Sequence, residues 1–282
     1  MLWESIDPVE ALARRFRFES PTAVTGWLSD VLAQHWGLAL SSCERLVISS
    51  GNIMAWITVG ERRMIAKWSM HTPLFTRLAA IARLTRWLDE RGIPVSAPQP
   101  ARDGRLQLEL DGFSLGLQNV VPGELLDVAD ATQVQAAGEM LATLHTELAA
   151  YPDVVPTAEP PRSGTQLVGN DFRSANILWA SGRISAVLDL EEARYARRVD
   201  DLAKAAAFLG TRYHDWVPTP PDARDAFVAA YQAAHPLPPE ELDEVQAIIA
   251  KHIASWPPSG STTSPNAGPS SNAQRRRRSR PR

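Results

Sequence analysis

The spacing of apolar residues divides the chain into a β-rich first part and a helical second part. Three runs rich in β-branched and aromatic residues, LVI, MAWITV and RMIAKW, lie between Leu46 and Trp68 and are separated by turn residues. They predict three consecutive antiparallel strands. The apolar residues of FTRLAAIARLTRWLDERG then recur at helical spacing up to Gly92, a residue type that often ends helices. Upstream, Ser20 and Pro21 suit the cap and the first position of a helix.

The same patterns predict the elements that follow. RLQLEL and FSLGLQNVV predict strands, and NILW and ISAVLDL predict two short strands on either side of the turn ASGR. Helical spacing predicts helices over residues 131–150, about 200–209, 221–235 and 239–255. This order predicts an α+β fold with two lobes. The first is a small antiparallel β lobe over residues 1–118 with N-terminal helices and one further helix, and the second is a larger, mostly helical lobe over residues 119–256.

Residues 257–282 differ in composition from the rest of the chain. This segment has almost no large apolar residue and ends in RRRRSRPR. It cannot bury enough apolar surface to offset the entropy lost on ordering, so we expect a disordered, solvated tail. Its arginines could alternatively contact phosphate groups or a nucleic acid at low salt.

Composition narrows the class of protein. The 282 residues are 44% hydrophobic and 22% charged, as in ordinary globular proteins, and the net charge of −3 gives no overall reason to expect a nucleic-acid partner. The one cysteine, Cys43, excludes an intrachain disulfide. No apolar run is long enough to cross a membrane, and the first residues lack the order of a signal peptide. We therefore expect a cytoplasmic protein without a membrane partner.

Polar residues are concentrated in GNDFRSANILW, from Gly169 to Trp179, just before a predicted strand. The carboxylate of Asp171 can accept a hydroxyl proton, and the amide oxygen of Asn176 can bind a hard cation. The strand ISAVLDL returns beside NILW, so a hairpin would bring Asp189 next to Asn176. Two oxygen ligands beside a base form the arrangement that phosphoryl transfer requires.

The spacing of these motifs resembles that of the aminoglycoside phosphotransferase-like kinases, which are relatives of choline and homoserine kinases. Their pattern is H-G-D-x4-N, followed after thirteen residues by I-D-W and after twelve more by D-L-A. This chain has Gly169-Asn170-Asp171, Asn176, Leu188-Asp189-Leu190 and Asp201-Leu202-Ala203. The resemblance extends over roughly residues 46–233 and includes LATLH, which ends at His145. It implies a protein-kinase-like bilobal fold, ATP or GTP as the phosphate donor, and Mg²⁺ as the metal.

The resemblance also implies roles for individual residues. Asp171 is implied as the catalytic base, Asn176 and Asp189 as magnesium ligands, and Lys67 of IAKW as the partner of the α and β phosphates. The nucleotide would contact the turn Ser50, Gly51 and Asn52, and the connector Gln118, Asn119, Val120 and Val121. Protein kinases keep a cation two residues after the base, so Arg173 could bind the γ-phosphate with two hydrogen bonds.

Three departures from the family pattern leave questions open. Gly169 stands where the family usually has a histidine that supports the loop. The helix after Lys67 has no acidic residue at the place where the family offers a glutamate to that lysine. Arg197 stands where an acidic residue is common, eight positions after Asp189. Gly169 and the missing helix glutamate make an inactive nucleotide-binding protein an alternative, and the missing glutamate leaves open whether Lys67 has an acidic partner.

The sequence therefore predicts an ATP-dependent O-phosphotransferase that acts on a hydroxyl of a small molecule. The first candidate acceptor is an amine-rich antibiotic, either an aminoglycoside or a basic cyclic peptide, whose modification would give resistance. Glu191, Glu192 and Asp200 could attract such a cation, or they could simply form a solvated acidic edge. A kinase of a hydroxylated metabolite such as homoserine or choline is the alternative enzyme. A nucleic-acid partner is expected only through the basic tail.

Overall fold

The computed structural model describes residues 7–49, 51–158, 160–212 and 217–255 of the chain. The candidate nucleotide-contact residue Ser50 and the basic tail over residues 257–282 lie outside the described residues. Within the described ranges, helices pack on an antiparallel sheet in the first half of the chain, and the second half is mostly helical. No helix in those ranges is long and apolar enough to cross a membrane.

Two capped helices precede the sheet. Helix α1 (Pro8–Phe16) begins at Asp7, whose carboxylate accepts hydrogen bonds from the backbone N–H groups of the first turn. Helix α2 (Pro21–Val31) begins at Ser20, whose hydroxyl accepts a hydrogen bond from the N–H of Ala23. The predicted cap at Ser20 is therefore confirmed. A short π-helical segment, Leu32–Trp36, continues α2.

The sheet has five antiparallel strands in the order β1-β2-β3-β5-β4. Their bounds are Ser42–Ile48 for β1, Asn52–Val59 for β2, Arg62–Ser69 for β3, Gln107–Leu110 for β4 and Phe113–Asn119 for β5. The strands predicted between Leu46 and Trp68, and those predicted in RLQLEL and FSLGLQNVV, are all confirmed. Short turns join β1 to β2, β2 to β3 and β4 to β5, so these strands could be recognised from local sequence patterns.

The two faces of the sheet have different neighbours. Ile53 and Ala55 on β2 are fully buried and belong to one hydrophobic cluster with Leu12 of α1 and Leu28 of α2. The helices before the sheet therefore cover its first face. The second face carries Lys67 on β3 and lines a cavity of about 90 Å³ together with side chains of the next helix.

Helix α3 (Phe75–Glu90) lies between β3 and β4 in the chain but packs against the second half of the protein. It follows a short 3₁₀ turn, Thr72–Leu74, and it ends just before Gly92, which has the positive φ of 82° expected of a helix-ending glycine. Its buried residues Leu84 and Leu88 belong to a second, larger hydrophobic cluster. The sheet and the helical half thus have separate cores, and α3 packs into the core of the helical half.

In the described residues of the second half, there are four α-helices and two small sheets. The helices are α4 (Ala131–Ala149), α5 (Arg198–Phe208), α6 (Pro221–Ala234) and α7 (Pro239–Ala254), and each was predicted within two residues of its bounds. Strands β6 (Glu124–Leu125), β8 (Ile177–Ala180) and β9 (Arg183–Val187) form one sheet, and β7 (Gln166–Val168) pairs with β10 (Arg194–Ala196) in the other. The sequence predicted β8 and β9, which pair across a tight turn. It did not predict β6, β7 or β10, whose partners are distant in the chain.

Helices α4 and α6 are in close contact at Gly138. A Cβ atom added at Gly138 would lie 2.8 Å from the Cβ of Ala230 and 3.0 Å from the backbone nitrogen of Tyr231, and it would also meet the carbonyl oxygen of Phe227. Backbone atoms cannot move aside as the end of a flexible side chain can. The small residue at this position therefore allows α6 to approach α4.

We expect Gly138→Ala to lower the free energy of unfolding by about 1–3 kcal/mol, because the added methyl group overpacks the contact between the helices. Gly26→Ala provides the matched control, because Gly26 lies on the exposed side of α2 and an added Cβ meets nothing within 4 Å. There the higher helix propensity of alanine should stabilise the protein by about 0.5–1 kcal/mol. Denaturant unfolding of both variants measures the difference. Equal effects of the two substitutions would contradict the close helix contact.

Candidate active site

The loop that follows β7 brings the candidate base and its neighbours together. Asn170 has a left-handed backbone conformation with φ of 62°, which turns the chain just before Asp171. The N–H of Ser174 donates to the carbonyl oxygen of Leu209 at 2.7 Å, so the loop is tied to the end of α5. A short 3₁₀ turn, Ser174–Asn176, then leads directly into β8.

The carboxylate of Asp171 is held by two side chains of its own loop. Arg173 Nε donates to one carboxylate oxygen at 2.8 Å, and Asn176 Nδ2 donates to the other at 2.8 Å. Asn176 Nδ2 also donates to the carbonyl oxygen of Asp171 at 2.9 Å. Because Asn176 uses its nitrogen for these bonds, its Oδ1 remains as the acceptor end of the amide. The three side chains that the sequence placed in one motif are therefore in direct contact.

A hairpin brings Asp189 back to this loop, as the sequence predicted. Strands β8 and β9 pair in antiparallel register, with Ile177 opposite Val187, and the N–H of Leu188 donates to the carbonyl oxygen of Asn176 at 2.8 Å. Asp189 follows with a left-handed backbone, φ 55° and ψ 64°. Its side chain is 47% exposed, so the carboxylate is open to a ligand.

Lys67 of the sheet reaches across to the same hairpin. Its Nζ lies 2.6 Å from Glu191 Oε1 and 3.6 Å from Asp189 Oδ1. Burial alone would lower the pKa of Lys67, but the two carboxylates outweigh it and hold the pKa above the usual value for lysine. Lys67 is therefore a charged ammonium at neutral pH, and its acidic partner lies in the turn after Asp189.

The oxygen ligands at this site suit a magnesium ion that shares its coordination with phosphates. No group of three His, Cys, Asp or Glu side chains in the described part of the chain is placed to hold a metal by itself. Asp189 and Asn176 supply one carboxylate and one amide oxygen. Magnesium in phosphate-transfer sites is often bound by one or two protein ligands, with substrate phosphates and water completing its shell. The residues present therefore fit such an ion.

The turn between β1 and β2 is anchored to the end of β3. Ser69 Oγ and the N–H of Met70 both donate to the carbonyl oxygen of Gly51, at 3.3 Å and 3.1 Å. The N–H of Asn52 donates to Ser49 Oγ at 3.2 Å. The predicted nucleotide contacts Gly51 and Asn52 thus lie beside Ser69, the last residue of β3, which comes two residues after Lys67.

The connector Gln118–Val121 has part of its backbone already bonded within the protein. Ser96 Oγ donates to the carbonyl oxygen of Asn119 at 2.9 Å, and the N–H of Val120 donates to the carbonyl oxygen of Arg63 at 3.0 Å. A purine base would therefore have to bind other groups of the connector than these two.

Three buried side chains form a hydrogen-bonded set next to the loop that carries Asp171. His145 Nε2 lies 3.0 Å from Asp201 Oδ2, and His145 Nδ1 lies 2.8 Å from the hydroxyl of Tyr231. All three side chains are buried, and burial raises the pKa of Tyr231. They connect α4, α5 and α6, which places Asp201 in the scaffold of the site.

Lys204 supports the loop next to Gly169, the position where the family pattern has a histidine. Lys204 Nζ donates to the carbonyl oxygen of Asn170 at 2.7 Å. The pKa of Lys204 is lowered by burial, which Asp171 and Asp201 counteract in part. A Cβ at Gly169 would make only ordinary contacts, 3.7 Å from Leu144 and 3.9 Å from Leu190. Sequence reasoning missed Lys204, whose only signal is a lone charge among the alanines of α5.

The three acidic residues proposed for the acceptor do not form one open edge. Glu191 is paired with Lys67, and Asp200 is paired with Arg197 at 2.7 Å. Glu192 is exposed and forms no ion pair within the described part of the chain. Of the predicted acidic edge, Glu192 therefore presents the carboxylate that no described cation contacts directly, although the charges of Arg77 and Lys204 are close enough to interact with it.

Comparison with known proteins gives one family match and partial matches to individual curated proteins. The sequence model of the phosphotransferase enzyme family matches residues 46–168 and 156–248, which together make up most of the chain. A homoserine kinase of Cupriavidus taiwanensis is 40% identical over 78 residues, which are 28% of this chain and 23% of that protein. The chain thus spans about a quarter of the length of the curated relatives that it matches.

Two solved structures share the fold over most of their length. An amicoumacin kinase in complex with AMP-PNP, Ca²⁺ and Ami has a TM-score of 0.65 at 15% identity, over 83% of this chain and 86% of that one. A microcompartment-associated aminopropanol kinase has a TM-score of 0.62 at 17% identity, over 80% and 85%. The protein-kinase-like α+β fold predicted from the sequence is therefore confirmed.

We expect Asp201→Ala to lower the free energy of unfolding by about 1–3 kcal/mol, because it leaves a ring nitrogen of buried His145 without its hydrogen-bond partner. The neighbouring substitution Asp200→Ala is the matched control, since Asp200 is 41% exposed and its pair with Arg197 is at the surface. Its cost should be about 1 kcal/mol or less. Thermal and denaturant unfolding measure both. Similar losses for the two variants would show that Asp201 has no special part in the scaffold.

Proposed function

The chain belongs to the phosphotransferase enzyme family, as its motifs predicted, and we propose that it transfers the γ-phosphate of ATP or GTP to a hydroxyl of a small molecule. The observation that best supports this proposal is the position of Lys67. Its ammonium lies 3.6 Å from the carboxylate of Asp189, although Lys67 belongs to the five-stranded sheet and Asp189 follows β9 in the helical half, far away in the chain. A cation and a carboxylate that meet between two lobes are placed to hold phosphates and a metal ion.

The residues around Asp171 are placed for the transfer step. Asp171 would accept the proton of the acceptor hydroxyl, and its hydrogen bonds to Arg173 and Asn176 fix the direction of the carboxylate. Arg173 lies beside the base, where a guanidinium could bind the transferred phosphoryl group with two hydrogen bonds. The loop would hold the hydroxyl in line with the phosphate. Such positioning, together with electrostatic stabilisation, supplies most of the catalysis in phosphoryl transfer.

The residues around Lys67 are placed to bind the donor. Lys67 would contact the α and β phosphates, with Gly51 and Asn52 of the β1–β2 turn covering them. Asn176 and Asp189 would hold magnesium, which when bound neutralises charge on the phosphates. The backbone of the connector Gln118–Val121 would contact the purine base.

We propose an acceptor that carries an amine as well as a hydroxyl. Homoserine and aminopropanol, which appear in the names of two similar proteins, are both amino alcohols. Exposed Glu192 lies three residues after Asp189 and could attract the ammonium group of such an acceptor. An aminoglycoside or a basic cyclic peptide belongs to the same chemical class, and its phosphorylation would give antibiotic resistance.

An inactive nucleotide-binding protein is the weaker candidate. It was suggested by Gly169 and by the absence of an acid at the position on α3 where the family offers a glutamate to the lysine. However, Lys67 has an acidic partner in Glu191, and the loop at Gly169 is held by Lys204. Neither departure leaves a gap in the set of residues that phosphoryl transfer needs.

We expect the full-length protein with Mg·ATP to consume ATP in the presence of an amine-bearing alcohol. The panel should contain homoserine, 1-amino-2-propanol, choline, aminoglycosides and tuberactinomycin-type peptides. ATP consumption is measured together with mass spectrometry for an added phosphoryl group on the acceptor. Asp171→Ala should lower turnover by about 10²–10⁴-fold, because the hydroxyl proton loses its acceptor.

The control variant is Asp225→Ala, which removes an aspartate that is 67% exposed on α6 and should leave turnover unchanged. Nucleotide binding without phosphate on any acceptor would support the inactive alternative. Turnover that survives Asp171→Ala would remove Asp171 from the role of the base.

A further inference from the structure

The acidic partner of Lys67 comes from an unexpected part of the chain. On α3, the side chains that line the cavity beside Lys67 are uncharged: Leu78, Ile81, Ala82 and Thr85. The acidic residues of α3 are Asp89 and Glu90 at its end, and both are paired with Arg86 of the same helix. Lys67 is paired instead with Glu191, at 2.6 Å, in the turn that follows Asp189.

Helix α3 contributes a cation to that turn. Arg77 Nη2 donates to the carbonyl oxygens of Glu191 and Ala193, both at 2.6 Å, and Arg77 Nη1 donates to the carbonyl oxygen of Pro156 at 2.5 Å. Three carbonyl groups from two segments thus converge on one guanidinium. A planar group with several fixed N–H donors can satisfy such a set, whereas lysine cannot do so in the same geometry.

We propose that Glu191 is the residue that positions Lys67 for the nucleotide phosphates, and that Arg77 of α3 positions Glu191. This inference rests on the proposed phosphotransferase function. Helix α3 therefore acts on Lys67 indirectly: Arg77 holds the backbone of the turn, and the turn supplies the carboxylate of Glu191. The link runs from α3 through Arg77 to the turn, and from the turn through Glu191 to Lys67.

The distances explain why Glu191 is needed in addition to Asp189. Lys67 lies 1.0 Å farther from Asp189 Oδ1 (3.6 Å) than from Glu191 Oε1 (2.6 Å), so the direct hydrogen bond is to Glu191. The carboxylate of Asp189 is the more exposed of the two, at 47% against 31%. A division of roles follows, in which Glu191 orients the lysine and leaves the carboxylate of Asp189 to a cation ligand.

This assignment differs in a measurable way from a role for Glu191 in binding a cationic acceptor. If Glu191 acts through Lys67, its loss weakens nucleotide binding even when no acceptor is present. Removal of Glu191 should also cause no further loss of nucleotide affinity once Lys67 has been removed. If Glu191 binds the acceptor, nucleotide binding in the absence of acceptor does not change. If Glu191 binds the metal independently of Lys67, the two losses multiply.

The test is a double-mutant cycle on the full-length protein, with binding of Mg·AMP-PNP measured by calorimetry. We expect Glu191→Gln to weaken binding by about tenfold or more, because an ammonium loses a charged hydrogen-bond partner. Lys67→Met should weaken binding at least as much. The double variant should bind within about twofold of Lys67→Met alone, since coupled residues do not give additive losses.

Arg77→Ala extends the test to α3. It should weaken binding of Mg·AMP-PNP by about fivefold to tenfold, because the turn loses the donors that fix its carbonyl groups. Arg86→Ala is the matched control on the same helix, since Arg86 pairs with exposed Glu90, and it should bind within about twofold of the wild type. The melting temperature of each variant, measured without nucleotide, separates unfolding from a local loss of binding.

The outcomes distinguish this inference from the function on which it rests. Wild-type protein that does not bind Mg·AMP-PNP overturns the proposed function and this inference with it. Wild-type binding that Glu191→Gln leaves unchanged overturns the inference alone, and so do losses from Lys67→Met and Glu191→Gln that multiply. A folded Arg77→Ala variant that binds like Arg86→Ala removes Arg77 from the link.

Discussion

The ion pairs of Lys67 bring the two halves of the molecule to one site. The lysine belongs to a sheet whose other face is covered by α1 and α2, while its partners Asp189 and Glu191 belong to a turn of the helical half. Because each half has its own hydrophobic core, packing within a core cannot by itself align one half with the other. A charged contact between the cores sets the position of Lys67 relative to Asp189 and the turn that follows it.

Buried polar contacts hold the loop that carries Asp171, in addition to the apolar packing of Phe172. His145, Asp201 and Tyr231 join three helices beneath it, and Lys204 binds the backbone at Asn170. Buried polar groups that are fully paired restrict a structure to one arrangement, because every alternative leaves a charge or a donor unsatisfied. The loop can therefore keep Asp171 in a fixed direction although a glycine precedes it in the motif.

Most of the fold could be predicted because its elements are encoded by local patterns. The predicted strands, the long helices and the hairpin that joins Asn176 to Asp189 depend on periodicity and on tight turns. The short strands β7 and β10, and the contacts of Lys67 with Glu191 and of Arg77 with distant carbonyls, depend on tertiary packing. Nothing within a few residues of these positions indicates their partners. For the same reason, Glu191 could be named from the sequence as an acid near the site but not as the partner of Lys67.

The anchor provided by Arg77 has a consequence for how this site could diversify. Arg77 recognises only main-chain oxygen atoms, and every residue type carries these atoms. The side chain at position 192 is exposed and takes no part in that recognition. A new residue there could alter which molecules approach the loop without shifting Lys67, Asp189 or Glu191. For the proposed phosphotransferase, the choice of acceptor could therefore change while the ion pairs within the same turn are kept.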